Sequence, residues 1–481
     1  MTEESKLKAP DDPEQDAVGS ILSVGEEFER ESVPQSHLKG LRSFIGMYAG
    51  EHAAGTEFMI GPLFVAHGVT AFDLLVGLLL GNLLAVLSWR FMTAPIATRV
   101  RQTMYYQLER ICGYKLVSLY NLANGLMFCF LAGAMVSVSA TAVGIPFNMT
   151  MPGLNDWLPN SVGWIIAVVA VGLVIGIIAA KGYESVAHFA NIAAPWMVLV
   201  FLACGIAALP ELGVHSLGDF WQIAKERIWT GSVVRTPPKF TFWHVVFFAW
   251  FCNLAMHVGM ADLSIFRFAK KARYGYASAA GMYVGHYMAW IAAALLYALQ
   301  LQKDPTNETV APGPMAVNIA GLAGAVCVVV AGWTTANPTI YRAGLAFQIL
   351  FKKWSRFRVT LLAGALATVG AIFPALVMKL LDFVALYGLI LMPMGAVIFI
   401  DYWVFPKIGL KRFFAEVAQL NFNWAAGVAW IVSLMICLFL NLYFGIQIFF
   451  LSLPGWFIAA ILHLTISKYI QRNHQIPGET I

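Results

Sequence analysis

The sequence predicts an all-α polytopic membrane protein of about twelve transmembrane helices, the first ten forming two inverted repeats of five and the last two appended. Three observations support this. Hydrophobic residues fill 59% of the 481 positions and charged residues 12%, against roughly 45–50% and 25% in soluble domains. Apolar stretches recur at the length, about 20 residues, that a helix needs to cross the hydrocarbon core. Two of them, each opening a run of five, are interrupted in the middle by polar and small residues.

Residues 1–43 are a different material. Ten of the chain's 26 acidic residues precede Ser32, with Pro10, Pro13 and almost no apolar clusters. Such a segment cannot bury enough surface to offset its ordering entropy, so it reads as a disordered acidic cytoplasmic tail. It has no basic-then-apolar start of the kind that marks a cleaved signal peptide. The first repeat, 44–210, holds spans near 44–66, 70–92, 116–144, 161–180 and 186–210. An outer connection, 211–241, sets Leu217, Phe220, Trp221 and Ile228 among Asp219, Lys225, Glu226 and Arg227, the pattern of an amphipathic surface helix. The second repeat, 242–400, holds spans near 242–263, 281–301, 315–341, 359–379 and 382–400. Five is odd, so a duplicated unit must be inverted in its second copy. Region 401–468 adds spans at 424–446 and 447–468, and 469–481 is a short cytoplasmic tail.

With the N-terminus inside, the inner segments carry 25 of the 31 lysines and arginines. The positive-inside rule then places both termini in the cytoplasm of a cell-membrane protein. Charge divided among short loops is not a nucleic-acid footprint. Gly77/Gly81 and Gly172/Gly176 allow close helix approach. The six cysteines fall singly, with neither a CxxC spacing nor a disulfide framework.

The first span runs from Gly46 to Gly61 through Gly50-Glu-His-Ala-Ala-Gly55, and the sixth from Phe248 to Asp262 through Cys252-Asn253 and His257-Val-Gly259. A membrane helix can give up backbone hydrogen bonds at mid-depth only where the freed groups face protein, water or a bound ion. Paired interruptions of this kind point to a transport site between inverted repeats. Ionisable residues at that depth are functional candidates: Glu51, His52 and Glu57 in the first span, His257 and Asp262 in the sixth, His286 in the seventh. Asp262, close to Ser264 and Arg267, reads equally as a helix-end ion pair, and His286 as a packing histidine. Glu51 and His52, adjacent and flanked by Gly50 and Gly55, read as a solute anchor or a proton relay. In the eighth span the Thr334 and Thr335 hydroxyls and the Ala331 carbonyl offer oxygens to a hard cation. Threonine can also bond back to its own helix.

These residues resemble the nucleobase–cation symporter family of cytosine, purine, hydantoin and allantoin permeases over nearly all of 40–470. The resemblance rests on Gly77-Leu-Leu-Leu-Gly-Asn-Leu-Leu84, Ala261-Asp-Leu-Ser-Ile-Phe-Arg-Phe-Ala-Lys270, Trp333-Thr-Thr with Tyr341-Arg-Ala-Gly-Leu345, Pro393-Met-Gly with Asp401-Tyr-Trp403, and Phe422-Asn-Trp424 with Leu453-Pro-Gly-Trp456. It implies a LeuT-like core of ten helices plus two and alternating access, with solute between the broken helices and contacts from the third and eighth. Sodium would sit against the Ala331 carbonyl, the Thr334 and Thr335 hydroxyls and the carbonyls of Ala49 and His52. Where relatives stack a planar base on an aromatic residue, this chain has Asn253, with Trp250 one turn earlier. The third-helix Trp-Phe-Gly…Gln pattern is absent, with Gly125, Leu126 and Cys129 near those places beside Asn124. After the hydroxyl pair stands Ala336, then Asn337. The ion site is thus better preserved than the base-stacking site.

The candidate solute-binding set is Glu51, His52, Asn124, Trp250, Asn253, His257 and Asn337. The expected function is cation-coupled symport, with sodium, of a small polar or nucleobase-like heterocyclic solute. The alternatives are a proton-coupled permease for another solute and a non-transporting sensor on the same scaffold. No enzyme is expected: Glu51-His52 is not part of an HExxH zinc motif. The expected partners are a small solute, a coupling cation and the lipid bilayer, with the chain acting as a monomer.

Overall fold

The computed structural model describes residues 27–149, 151–152, 156–234, 238–308, 310, 312–375 and 380–473. Helices lie on the expected spans. Among the described residues, nine are long and apolar enough to cross a membrane, from Ala71–Val100 to Ile448–Asn473. The first, sixth and ninth spans are missing from that set: the helix of the ninth, Arg356–Ala371, has only 16 residues, and the first and sixth are each divided. The first consists of Leu41–His52 and Glu57–Ala66. The sixth consists of Phe242–Phe251 followed by the single turns Leu254–His257 and Leu263–Phe266.

Each break has a local cause. Ala53 leaves helical geometry at φ −93°, ψ 56°, and Gly55 lies so close to the third span that a Cβ there would meet Val138 Cγ1 at 2.7 Å. In the sixth span Met260 takes a left-handed φ of 64°. Long-reach backbone bonds from Ala261 N–H to the Ala255 carbonyl (3.0 Å) and from Asp262 N–H to the Met256 carbonyl (3.1 Å) hold that turn.

The small-residue pairs lie at helix crossings. A Cβ on Gly81 would fall 2.5 Å from the Val246 carbonyl, so the second span meets the sixth backbone to backbone. Gly172 faces Thr368 and Gly176 faces Gly364, joining the fourth span to the ninth. The third and eighth spans, Tyr114–Val143 and Pro312–Gln348, run against each other through the centre. In the connection between the fifth and sixth spans, Leu217–Ile223 forms a short helix with Leu217 exposed, and Ile228 is buried just beyond it. All six cysteines are free.

The reading of 1–43 as a tail without order fails for its last part. Residues 1–26 lie outside the described residues, but 27–40 cross the inner face and are bonded there. Lys39 N–H donates to the Phe268 carbonyl at 2.6 Å and Lys270 N–H to the Lys39 carbonyl at 3.3 Å. The buried Glu27 carboxylate accepts from Arg267 Nη2 (3.1 Å), the Tyr341 hydroxyl (2.5 Å) and Tyr183 N–H (2.5 Å). Burial lifts its carboxyl above the ordinary value, against the pull of Arg356 and Arg267. Net acidity and low hydrophobicity describe an average composition. They do not show that one of those acids has an arginine waiting for it.

Candidate functional site

A cavity opens where the two broken spans face each other. Its polar wall is Glu51, His52, Thr56 and Glu57 from the first span, Asn253 from the sixth, His286 from the seventh, and Thr335 and Thr339 from the eighth. Leu131 and Met135 of the third span, Phe248 and Phe251 of the sixth, Tyr387 of the tenth and Phe449 of the twelfth supply the apolar and aromatic wall.

The floor is an ion-pair network. Arg342, on the inner half of the eighth span and fully buried, reaches Glu51 Oε1 at 2.6 Å and Asp262 Oδ1 at 2.7 Å. Asp262 also accepts from the Tyr48 hydroxyl and from Trp89 Nε1, the latter at 2.7 Å. One arginine thus ties the first, second, sixth and eighth spans together below the cavity. The helix-end pairing of Asp262 with its neighbour Arg267 does not occur, because Arg267 turns down to Glu27 instead. Glu51 lines the cavity, but its charge is matched by Arg342.

Above the floor, Glu57 has a different environment. It accepts from Trp290 Nε1 and, at 3.3 Å, from the Thr56 hydroxyl, and His286 Nε2 stands 3.8 Å away. The His286 ring stacks on Trp290 at 4.3 Å and meets the His52 ring edge-on at 4.9 Å. Asn253 Nδ2 lies 3.5 Å from His286 Nε2.

An oxygen cluster adjoins the break. The Thr334 hydroxyl lies 3.0 Å from the Ala331 carbonyl, and the Thr335 hydroxyl lies 3.3 Å from the same carbonyl and 2.8 Å from the Glu51 carbonyl. Both threonine hydroxyls thus donate back to the Ala331 carbonyl of their own helix, and Thr335 also donates to the first-span carbonyl of Glu51. The Ala49 carbonyl accepts from Ala53 N–H at 3.0 Å, and the His52 carbonyl lies against Gly285 of the seventh span. His52 reaches the cavity through its ring.

The other expected residues separate. Trp250 donates to Ser88 Oγ at 3.0 Å and stacks on Phe251 at 4.5 Å, facing the second span. His257 packs on Trp89 at 4.7 Å, its Nε2 3.0 Å from the Trp250 carbonyl. Asn124 is buried one residue before Gly125, which packs against Phe347 below the cavity. Asn337 is buried with no partner for its amide among the described residues. None of these four lines the cavity. The sequence reading missed the roles of Glu57, Arg342, Phe248 and Phe251. It named Glu57 among the buried charges, and that was the one available signal.

No family model and no curated protein matches the sequence. Solved structures do match its fold. A nucleobase-cation-symport-1 family transporter, Mhp1, in a closed conformation with bromovinylhydantoin bound, superposes with a TM-score of 0.70 at 14% identity, over 95% of this chain and 98% of that one. The inward-facing conformation of Mhp1 gives 0.66 at 14%, over 94% and 96%. The substrate-bound outward-open state of a Na+-coupled sialic acid symporter gives 0.66 at 14%, over 97% of each chain. At this identity the likeness establishes the fold: the chain shares the helical architecture of these structures along nearly its whole length.

Proposed function

We propose that the protein is a sodium-coupled secondary symporter related to the nucleobase–cation symporters, moving a small polar solute into the cell by alternating access. The observation that carries this is the convergence of the Ala331 carbonyl, the Thr334 and Thr335 hydroxyls and the Glu51 carbonyl at the first-span break, next to a cavity with a polar end. Hard cations take oxygen ligands, and carbonyl and hydroxyl oxygens without a net charge suit a monovalent ion. The chemistry of the donor set fits sodium. Two of the solved structures sharing this fold are, respectively, of a nucleobase-cation-symport-1 transporter and of a Na+-coupled symporter. With the ion beside Glu51 and the solute against the same break, each would order the segment that the other needs.

Sodium titrated onto the purified protein should raise its melting temperature as RT ln(1 + [Na+]/Kd) prescribes, and Thr335→Ala should abolish that response. In proteoliposomes, an inward sodium gradient should drive uptake of a solute identified by such stabilisation. A proton-coupled reading draws on one observation, the 3.8 Å approach of His286 to Glu57. Uptake that follows a pH gradient and ignores sodium would select it.

A further inference from the structure

We propose that the cavity binds a small organic cation, such as an ammonium, an amidinium or a protonated amino-heterocycle, with Glu57 as its counter-ion. The proposal rests on the transport reading above and narrows its solute. Among the described residues, no lysine or arginine lines the cavity. Arg342 is the nearest cation in the floor, and its guanidinium is engaged by Glu51 and Asp262. Glu57 is 2% exposed; it accepts from the neutral Trp290 indole and Thr56 hydroxyl, and the one ionisable group paired with it among the described residues is His286, whose Nε2 stands 3.8 Å away. A carboxylate at this depth is expensive unless a positive charge meets it.

The imidazoles add acceptors rather than charge. His52 Nδ1 lies 2.8 Å from the Tyr48 carbonyl. A carbonyl can only accept, so Nδ1 carries the proton and Nε2 of the neutral ring presents a lone pair. That Nε2 is buried without a protein partner, on a residue that lines the cavity. Asn253 and His286 complete the polar end, 3.5 Å from each other. The remaining wall includes Phe248 and Phe251, and aromatic rings attract cations. A carboxyl group with no lysine or arginine beside it, an imidazole nitrogen with no partner among the described residues and aromatic walls form an acceptor-rich site for a solute bearing positive charge and N–H donors. The oxygen cluster shares Thr335 with the cavity wall but does not include Glu57.

The test compares charged probes with neutral isosteres by thermal stabilisation of the full-length protein in detergent with sodium: choline against 3,3-dimethylbutan-1-ol and benzamidine against benzamide, with hydantoin and cytosine as neutral heterocycles. At least one cation should stabilise while its isostere is silent. Glu57→Gln should weaken that cation roughly 10- to 100-fold, the loss expected when a charged contact is removed. The proposal is overturned if isosteres match the cations, if only neutral heterocycles bind, if no cation shifts the melting temperature, or if Glu57→Gln binds cations as before. The isostere comparison in the unaltered protein decides the matter even if the variant does not fold. A missing sodium response together with cation binding would instead remove the symport reading and leave the cation site standing.

Discussion

Arg342 is the residue on which most of the buried charge depends. Its guanidinium spans two carboxylates from different helices, Glu51 and Asp262, with all three side chains nearly inaccessible. Removing one member of such a set leaves uncompensated charge in the interior, a loss of about 3–5 kcal/mol. Arg342→Met should therefore lower the detergent melting temperature sharply, and combining it with Glu51→Gln and Asp262→Asn should recover most of the loss. A melting temperature equal to that of the unaltered protein in the single variant would show that the network does not hold the helices together. The arginine was visible in the sequence within Tyr341-Arg-Ala-Gly-Leu345, but its partners lie 291 and 80 positions away. Adjacent Glu51 and His52 looked like a functional pair for the same reason: local sequence shows neighbours, whereas the fold sends Glu51 to Arg342 and His52 to the cavity.

The divided first span keeps its shape because the seventh packs directly on the break. The seventh span passes the break as a π-helical stretch, Ala280–Tyr287. A Cβ on Gly285 would fall 2.6 Å from the His52 carbonyl carbon and oxygen, and one on Gly281 2.6 Å from His52 Nδ1. Backbone cannot step aside as a side-chain end can, and overpacking of this kind costs about 1–3 kcal/mol. Gly285→Ala should lower stability and weaken the sodium response by displacing the first span, while Gly370→Ala, whose Cβ would meet nothing within 4 Å, should be neutral in both. Equal effects from the two would mean that the seventh span does not brace the break. The interruptions themselves were legible, since a loss of helical composition at mid-span is local information. Gly77/Gly81 and Gly172/Gly176 were legible as close approaches, though not as to which helix approaches. The positions of Trp250 and His257 were not legible. Helical turns around Asn253 rotate them towards Ser88 and Trp89, and Phe248 and Phe251 face the cavity instead.

At the scale of the molecule, the inner side is closed by two layers of paired charge. The upper layer is Arg342 with Glu51 and Asp262, and the lower is Arg267 with Glu27 and Tyr341. The fold superposes better on the closed form of Mhp1 than on its inward-facing form, 0.70 against 0.66. In the symport proposed above, release of solute to the cytoplasm would require the Leu41–His52 half of the first span to part from the sixth and eighth. The Tyr48 hydroxyl bond to Asp262 and the Glu27 pairing both cross that seam. Each bond to a charged group is worth about 1.5–3 kcal/mol, and every 1.4 kcal/mol moves a two-state population about tenfold. Tyr48→Phe and Glu27→Ala should therefore each shift the equilibrium toward an inward-open state. The reporter is native: Cys252 lines the cavity and the other five cysteines are buried. In inside-out vesicles, an impermeant maleimide should modify Cys252, read by peptide mass spectrometry, about tenfold faster or more in either variant than in the unaltered protein. Unchanged labelling in both would mean that neither layer gates the inner path, and that residues 27–40 brace the fold without taking part in its transport cycle.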